Sequence, residues 1–265
     1  MATGLEIVRE AIELTLLTGQ LEGEQPGSLM ITSEIEESKS FVVSHYASLP
    51  GVAYLSDATA YGIVKEYCQD LLEGRLKHLI FPELIRPLER PKETAASLVA
   101  FLAELMEEGV KEIRTYATSF QLPRPVKAGV IACIARGNLK WRTSYWNEAG
   151  FLSRFLVLSY TFGLQTETGV LEAIIARAAT QLPAFALPAP ETVDLPEPLA
   201  RQLAAIAKPL AKALYPPLHG FRMQKHLQRL AMASALRDGR DVVKAEDLDV
   251  INELVPYLNL QYQQL

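Results

Sequence analysis

Two cysteines, Cys68 and Cys133, in 265 residues are too few for a disulfide framework. Both sit in apolar runs, which suits buried thiols in a reducing compartment. Histidine is scarce as well: His45, His78, His219 and His226 make no metal-ligand spacing with those cysteines. The opening MATGLEIVREAIELT has neither the basic start nor the apolar core of a signal peptide. No apolar run approaches the roughly 18 residues needed to span a bilayer. The expectation is a cytoplasmic protein with no membrane partner. Positive charge is also short, 26 basic residues against 31 acidic giving −5, so no global field draws the chain onto nucleic acid or anionic lipid. Any such contact has to be local.

What is present is ordinary for a folded chain: 49% hydrophobic and 22% charged residues, enough to bury the core of one large domain, or of a large one plus a small one. Leu5, Val8, Ile12 and Leu16 form a helical stripe. Apolar runs at 28–32, 52–55, 78–81, 126–134 and 155–160 read as strands. Helical patterns at 38–47, 59–72 and 94–108 lie between them. That alternation predicts an α/β fold with a parallel sheet covered on both faces. Residues 113–118 fit either strand or loop.

Composition changes near residue 165. Pro183, Pro188, Pro190, Pro196 and Pro198 crowd a connection at 182–198, too many for a helix interior or a central strand. Around it, 167–179, 199–214, 221–237 and 245–257 read as helices, the last with Glu246 and Asp247 in its first turn, favourable for the helix dipole. The chain therefore divides into an α/β core over 1–165 and a helical part over 166–265. Residues 196–265 hold nine basic and seven acidic side chains, so what little positive excess exists lies there.

An apolar strand, a loop and then Lys-Ser opening a helix is the order of a phosphate-binding loop. Here the string is Ser33-Glu34-Ile35-Glu36-Glu37-Ser38-Lys39-Ser40. Against G-x-x-x-x-G-K-[ST], Lys39 and Ser40 match and both glycines are serine. Such a loop curls backbone N–H groups around phosphate, with a lysine on the β and γ phosphates and a hydroxyl on Mg²⁺. Serine tolerates the required positive φ less well than glycine, and Glu34, Glu36 and Glu37 would stand beside a polyanion. A βα loop with a solvated Glu/Lys run accounts for the same string. Downstream, His78-Leu79-Ile80-Phe81-Pro82-Glu83 is a strand ending in a carboxylate, where a P-loop ATPase holds Mg²⁺ and polarises water; equally, Glu83 is a surface cap. Asp57 and Thr59 follow the second strand at the edge where parallel α/β sheets bind ligands, or one of them caps the next helix.

Taken in series, these parts resemble the AAA+ branch of P-loop ATPases over nearly the whole chain. Ser33–Ser40 stands at the Walker A position, with Ser33, Ser38, Lys39 and Ser40 as nucleotide ligands, and 79–83 at Walker B, its usual first acid replaced by Pro82. Residues 130–134, leading to Arg136-Gly137-Asn138, stand where the sensor-1 strand belongs, with Asn138 as the sensor. Gly150-Phe151-Leu152-Ser153-Arg154-Phe155 is similar to the arginine-finger segment of minichromosome-maintenance helicases, and Arg222 in Gly220-Phe221-Arg222 to a sensor-2 arginine opening a lid helix. The resemblance implies a parallel five-stranded sheet flanked by helices, with a C-terminal helical lid. It implies ATP and Mg²⁺ as cofactors, Ser40 and Glu83 on the metal, and Glu83 and Arg154 as catalytic groups, the arginine acting on a neighbouring subunit. A homo- or hetero-oligomer in the DNA metabolism of a bacterium or mobile element follows, with DNA or a DNA-bound protein as partner. The serines, the acidic loop and the missing acid point to ATP binding with weak or no hydrolysis. The alternative is a degenerate AAA+ scaffold that mediates assembly, and a third is an unrelated α/β enzyme using the same sheet edge.

Arg136, Lys140, Trp141 and Arg142, with Tyr145 and Trp146, mix basic and aromatic side chains. That suits stacking on nucleic acid, a subunit interface, or, for the tryptophans, a place in the core.

Overall fold

The computed structural model describes residues 5–114, 119–177, 182–213, 219–259 and 263–264. Its elements in chain order are α1 (Glu6–Leu17), β1 (Leu29–Ser33), α2 (Lys39–Ser44), β2 (Val52–Tyr54), α3 (Ala60–Leu72), β3 (His78–Phe81), α4 (Ile85–Leu88), α5 (Lys92–Leu105), β4 (Val110–Arg114), β5 (Ser119–Val126), β6 (Gly129–Ala135), α6 (Arg136–Glu148), β7 (Leu156–Thr161), α7 (Leu164–Ile175), α8 (Glu197–Lys212), α9 (Phe221–Arg237), α10 (Ala245–Leu254) and β8 (Gln263–Gln264). Five parallel strands lie in the order β2-β3-β6-β1-β7, and the short β8 adds to β7. The chain is thus of the α/β class, with a parallel sheet flanked by helices and further helices at its C-terminal end.

The sheet separates two cores through the period-two alternation of its strands. Leu29 and Ile31 of β1, Ile80 of β3, Ile131 and Cys133 of β6, and Leu156, Leu158 and Tyr160 of β7 face one cluster with α1, α8, α9 and α10. Met30, Leu79, Phe81, Val130, Ala132, Ile134 and Val157 face the other, with α3, α5 and α6. All five residues of β1 are buried, as expected of a central strand covered on both sides. The run Ala231-Met232-Ala233-Ser234-Ala235-Leu236 makes α9 the inner helix of its layer, buried along its length, because small side chains let α1 and α8 approach closely.

Three differences from the sequence expectations have local causes. The run at 126–134 is not one strand: Val126 closes β5, and β6 begins at Gly129. The 113–118 segment contributes the end of β4, and residues 115–118 lie outside the described part. β4 pairs antiparallel with β5 in a separate two-stranded ribbon. Pro123 and Pro125 hid β5 from sequence reasoning; a two-stranded ribbon is all edge, where proline is tolerated. In the Pro-rich connection, Pro196 is the N-cap of α8 and Pro198 sits in its first turn, the helical position that proline suits. Thr59, not Asp57, caps α3: its Oγ1 accepts the Gly62 N–H at 3.0 Å, while Asp57 takes a two-point contact from Arg90.

Candidate phosphate-site cleft

At the C-terminal edge of the sheet the connections from β1 and β6 diverge. β1 leads through α2 to the distant β2, and β6 leads through α6 to β7 on the far side of β1. This is the crevice where open parallel sheets bind ligands. A cleft of about 320 Å³ opens there, lined by Glu37, Ser38, Lys39, Ser40, Pro82 and Glu83, with Cys133 to Ala135 at its back.

The loop between β1 and α2 holds two non-glycine residues in the left-handed region, Glu36 (φ 70°) and Ser38 (φ 61°). Ser38 occupies the position just before the lysine, where the phosphate-loop pattern has glycine. The backbone takes the glycine conformation with a serine, at a cost of roughly 1 kcal/mol. Three carboxylate contacts hold that geometry. Glu37 Oε2 accepts the Glu34 N–H at 2.8 Å. Glu37 Oε1 accepts the Phe162 N–H at 2.7 Å and the Thr161 hydroxyl at 2.9 Å. The Tyr160 hydroxyl donates to the Glu37 carbonyl at 2.6 Å. The loop is therefore fastened to the end of β7 through a buried acid.

Lys39 extends back over the end of β1. Its ammonium donates to Ser33 Oγ at 2.8 Å, to the Ser33 carbonyl at 3.2 Å and to the Glu34 carbonyl. Burial lowers its pKa below the ordinary lysine value. Ser40 donates to the Pro82 carbonyl at 3.1 Å, which ties the start of α2 to the end of β3. Glu83 is exposed at the rim. Cys133, on the floor, is pushed up to about 12 by burial, so its thiol is neutral and unreactive near neutral pH.

Ser33, Ser38, Lys39, Ser40 and Glu83 thus come together at one edge. Asn138, in the first turn of α6 at the same edge, does not line the cleft, and its carbonyl accepts from Arg142 at 3.2 Å. Arg154 and Arg222 lie at the opposite edge, before β7 and at the start of α9. The five-residue length of β1 puts the two edges roughly 16 Å apart. There both arginines converge on Glu107: Arg222 Nε donates to it at 2.9 Å and Arg154 Nε lies 3.2 Å away. These arginines hold the Glu107 carboxyl below the usual range against the opposing effect of burial. A second cavity of about 330 Å³ adjoins them, lined by Phe155, His219, Phe221, Arg222 and His226.

Of the basic-aromatic string, Trp146 belongs to the core, packed edge-to-face on Phe151. Trp141 is 88% exposed and Tyr145 64%. In the sequence Glu37 stands only as one of three acids opposing phosphate. Its structural role has no local signal, because Glu34, Glu36 and Glu37 look alike until β7 is placed beside one of them. The Arg136–Glu34 ion pair at 3.0 Å, which joins α6 to the loop, was equally hidden. The chain matches no protein-family model and no curated protein sequence.

Proposed function

We propose that the cleft binds a nucleoside triphosphate, ATP with Mg²⁺, and turns it over weakly or not at all. The observation that supports this most is the left-handed Ser38 directly before Lys39: a serine held in a glycine conformation is strain kept where a loop must curl around something. In this reading Lys39 leaves the Ser33 and Glu34 oxygens for phosphate oxygens, a shift within its own side chain. Ser40 and Glu83 offer a hydroxyl and a carboxylate oxygen, which fits a cation that takes one or two protein ligands and completes its shell with phosphate and water. Mg²⁺ would there offset phosphate charge, and Glu83 would orient water at the rim.

Slow chemistry follows from what the chain itself supplies. One rim carboxylate stands where hydrolysing relatives of this resemblance have two, and Arg154 and Arg222 are turned to the opposite edge. Arg154 would act only on a nucleotide held by a neighbouring molecule. A second reading is a scaffold that no longer binds nucleotide, and one observation favours it. Glu37 takes the Glu34 N–H and Lys39 is satisfied by three oxygens, so an internal anion and internal acceptors already occupy groups that phosphate would use.

Calorimetric titration of ATP, with and without Mg²⁺, into wild type and Lys39→Ala separates the two. Mg²⁺-dependent binding that disappears in the variant is the expected outcome. No heat at millimolar ATP with folded wild-type protein would refute the nucleotide reading and leave the scaffold. A role in DNA metabolism rests on the resemblance alone.

A further inference from the structure

Helix α7 inverts the usual rule for a surface helix. Leu164, Leu171, Ile174 and Ile175 are 81%, 60%, 67% and 81% exposed, while its one buried residue is Thr166. On a helical wheel Leu164, Leu171 and Ile175 fall within about 40° of one another, with Ile174 beside them. The apolar stripe points outward and the polar residue inward. A twelve-residue helix containing Gly169 gains little from propensity, and in proteins such a helix is held by packing of its apolar face. Among the described residues nothing covers that face, whose four apolar side chains stay largely exposed.

We propose that α7 is a self-association surface, on which a second copy of this chain lays its own α7 antiparallel about a two-fold axis. The area supports that occupant. At about 175 Å² for a fully exposed leucine or isoleucine, the four side chains present on the order of 500 Å², near the largest patch that monomers usually show. Two copies together offer up to about 1,000 Å² from these side chains, near the threshold of a stable interface, before any flanking contact is counted. The patch is self-complementary, aliphatic against aliphatic, as a two-fold contact requires. Its charges select against other surfaces. Glu167 lies on the wheel between Leu171 and Ile174, Glu172 lies about 60° beyond Ile175, and no lysine or arginine lies within the helix, so anionic lipid and nucleic acid are repelled rather than drawn in. The nucleotide reading is not needed for this contact.

Sedimentation velocity on the full chain without nucleotide, from about 1 to 100 μM, tests it. Wild type is expected to shift from monomer to dimer. Leu171→Glu places a charge in the middle of the stripe and is expected to weaken the dimer by about 100-fold or more, with an unchanged far-UV spectrum because the side chain is exposed. A wild type that stays monomeric throughout overturns the proposal and leaves the patch to a different protein. A Leu171→Glu variant that associates like wild type also overturns it, since association then lies elsewhere. A second variant reads geometry directly. Thr168 is exposed on the same face, and Thr168→Cys is expected to give a disulfide-linked dimer on mild oxidation, whereas wild type, whose Cys133 is buried and Cys68 half-buried, gives none. A Thr168→Cys protein that remains uncrosslinked while dimeric would overturn the placement of the two-fold axis at the middle of α7.

Discussion

Glu37→Gln removes one charge and one acceptor from the loop and leaves its size unchanged. In the wild type the carboxylate accepts from Glu34, Thr161 and Phe162 at 2.8, 2.9 and 2.7 Å. Hydrogen bonds to a charged acceptor are worth about 1.5–3 kcal/mol each, and those to a neutral one about 0.5–1.5. Glutamine keeps a carbonyl for Thr161 and Phe162, so those two weaken. Its amide nitrogen then faces the Glu34 N–H, donor against donor, and that contact is lost. The combined loss is about 2–4 kcal/mol. For a chain of this size that corresponds to roughly 4–8 °C in Tm. Nucleotide affinity should move the other way. A negative charge about 8 Å from a phosphate charge, at an effective dielectric near 40, opposes it by about 1 kcal/mol, so ATP should bind about fivefold more tightly. Thermal unfolding and calorimetry with Mg²⁺ and ATP on the same preparation give both numbers. An unchanged Tm would mean that the carboxylate is not what fastens the loop. Affinity that falls together with Tm would mean that Glu37 shapes the site for phosphate instead of competing with it.

Gly129 opens β6 where a Cβ would lie 2.1 Å from the Gly27 carbonyl oxygen and 2.5 Å from His78 Cδ2, so Gly129→Ala should cost about 3 kcal/mol or more; a loss below about 1 kcal/mol in urea denaturation would refute that crowding. His78 and His226 are each pushed down to about 4 by burial, whereas in the unfolded chain they titrate near 6.5. Between those values the unfolded state binds more protons, so stability is complete above about pH 6.5 and falls as the pH drops through the window. The urea midpoint should therefore decrease clearly from pH 7.5 to pH 5, and a flat profile would show that these imidazoles are not buried neutral.

The sheet was legible because its signal is local. Each of the five strands is a short apolar run bounded by turn residues, and each falls within a residue or two of its expected place, β6 apart. The helices α3, α5, α9 and α10 carry period-3.6 stripes and were equally readable. β5 was not, because Pro123 and Pro125 deny it the ordinary strand composition and only an edge ribbon excuses them. At the cleft, the Lys39-Ser40 pair was visible from its spacing after β1. The bonds that set its geometry join residues far apart in sequence, Glu37 to Phe162 and Ser40 to Pro82, and no string records them. The same holds for Arg154 and Arg222, whose convergence on Glu107 depends on three elements meeting at one edge. The outward stripe of α7 could be counted in the sequence as apolar residues, yet not its direction, since an amphipathic pattern does not say which side faces the body.

The arrangement of the two cores also sets an order of events during synthesis. The face of β1 that carries Leu29 and Ile31 is covered by α1, already made, and by α9 and α10, which are made much later. At about 5–20 residues per second, the ribosome needs on the order of 10–40 seconds to go from that strand to its final cover. The opposite face is closed much earlier by α3, α5 and α6. From the end of α6 to the end of α10, roughly 5–20 seconds at that rate, the nascent protein is a partly clad sheet, one side packed and the other covered by α1 without α9 and α10. Chaperone occupancy during translation should concentrate in that interval and end when α10 emerges.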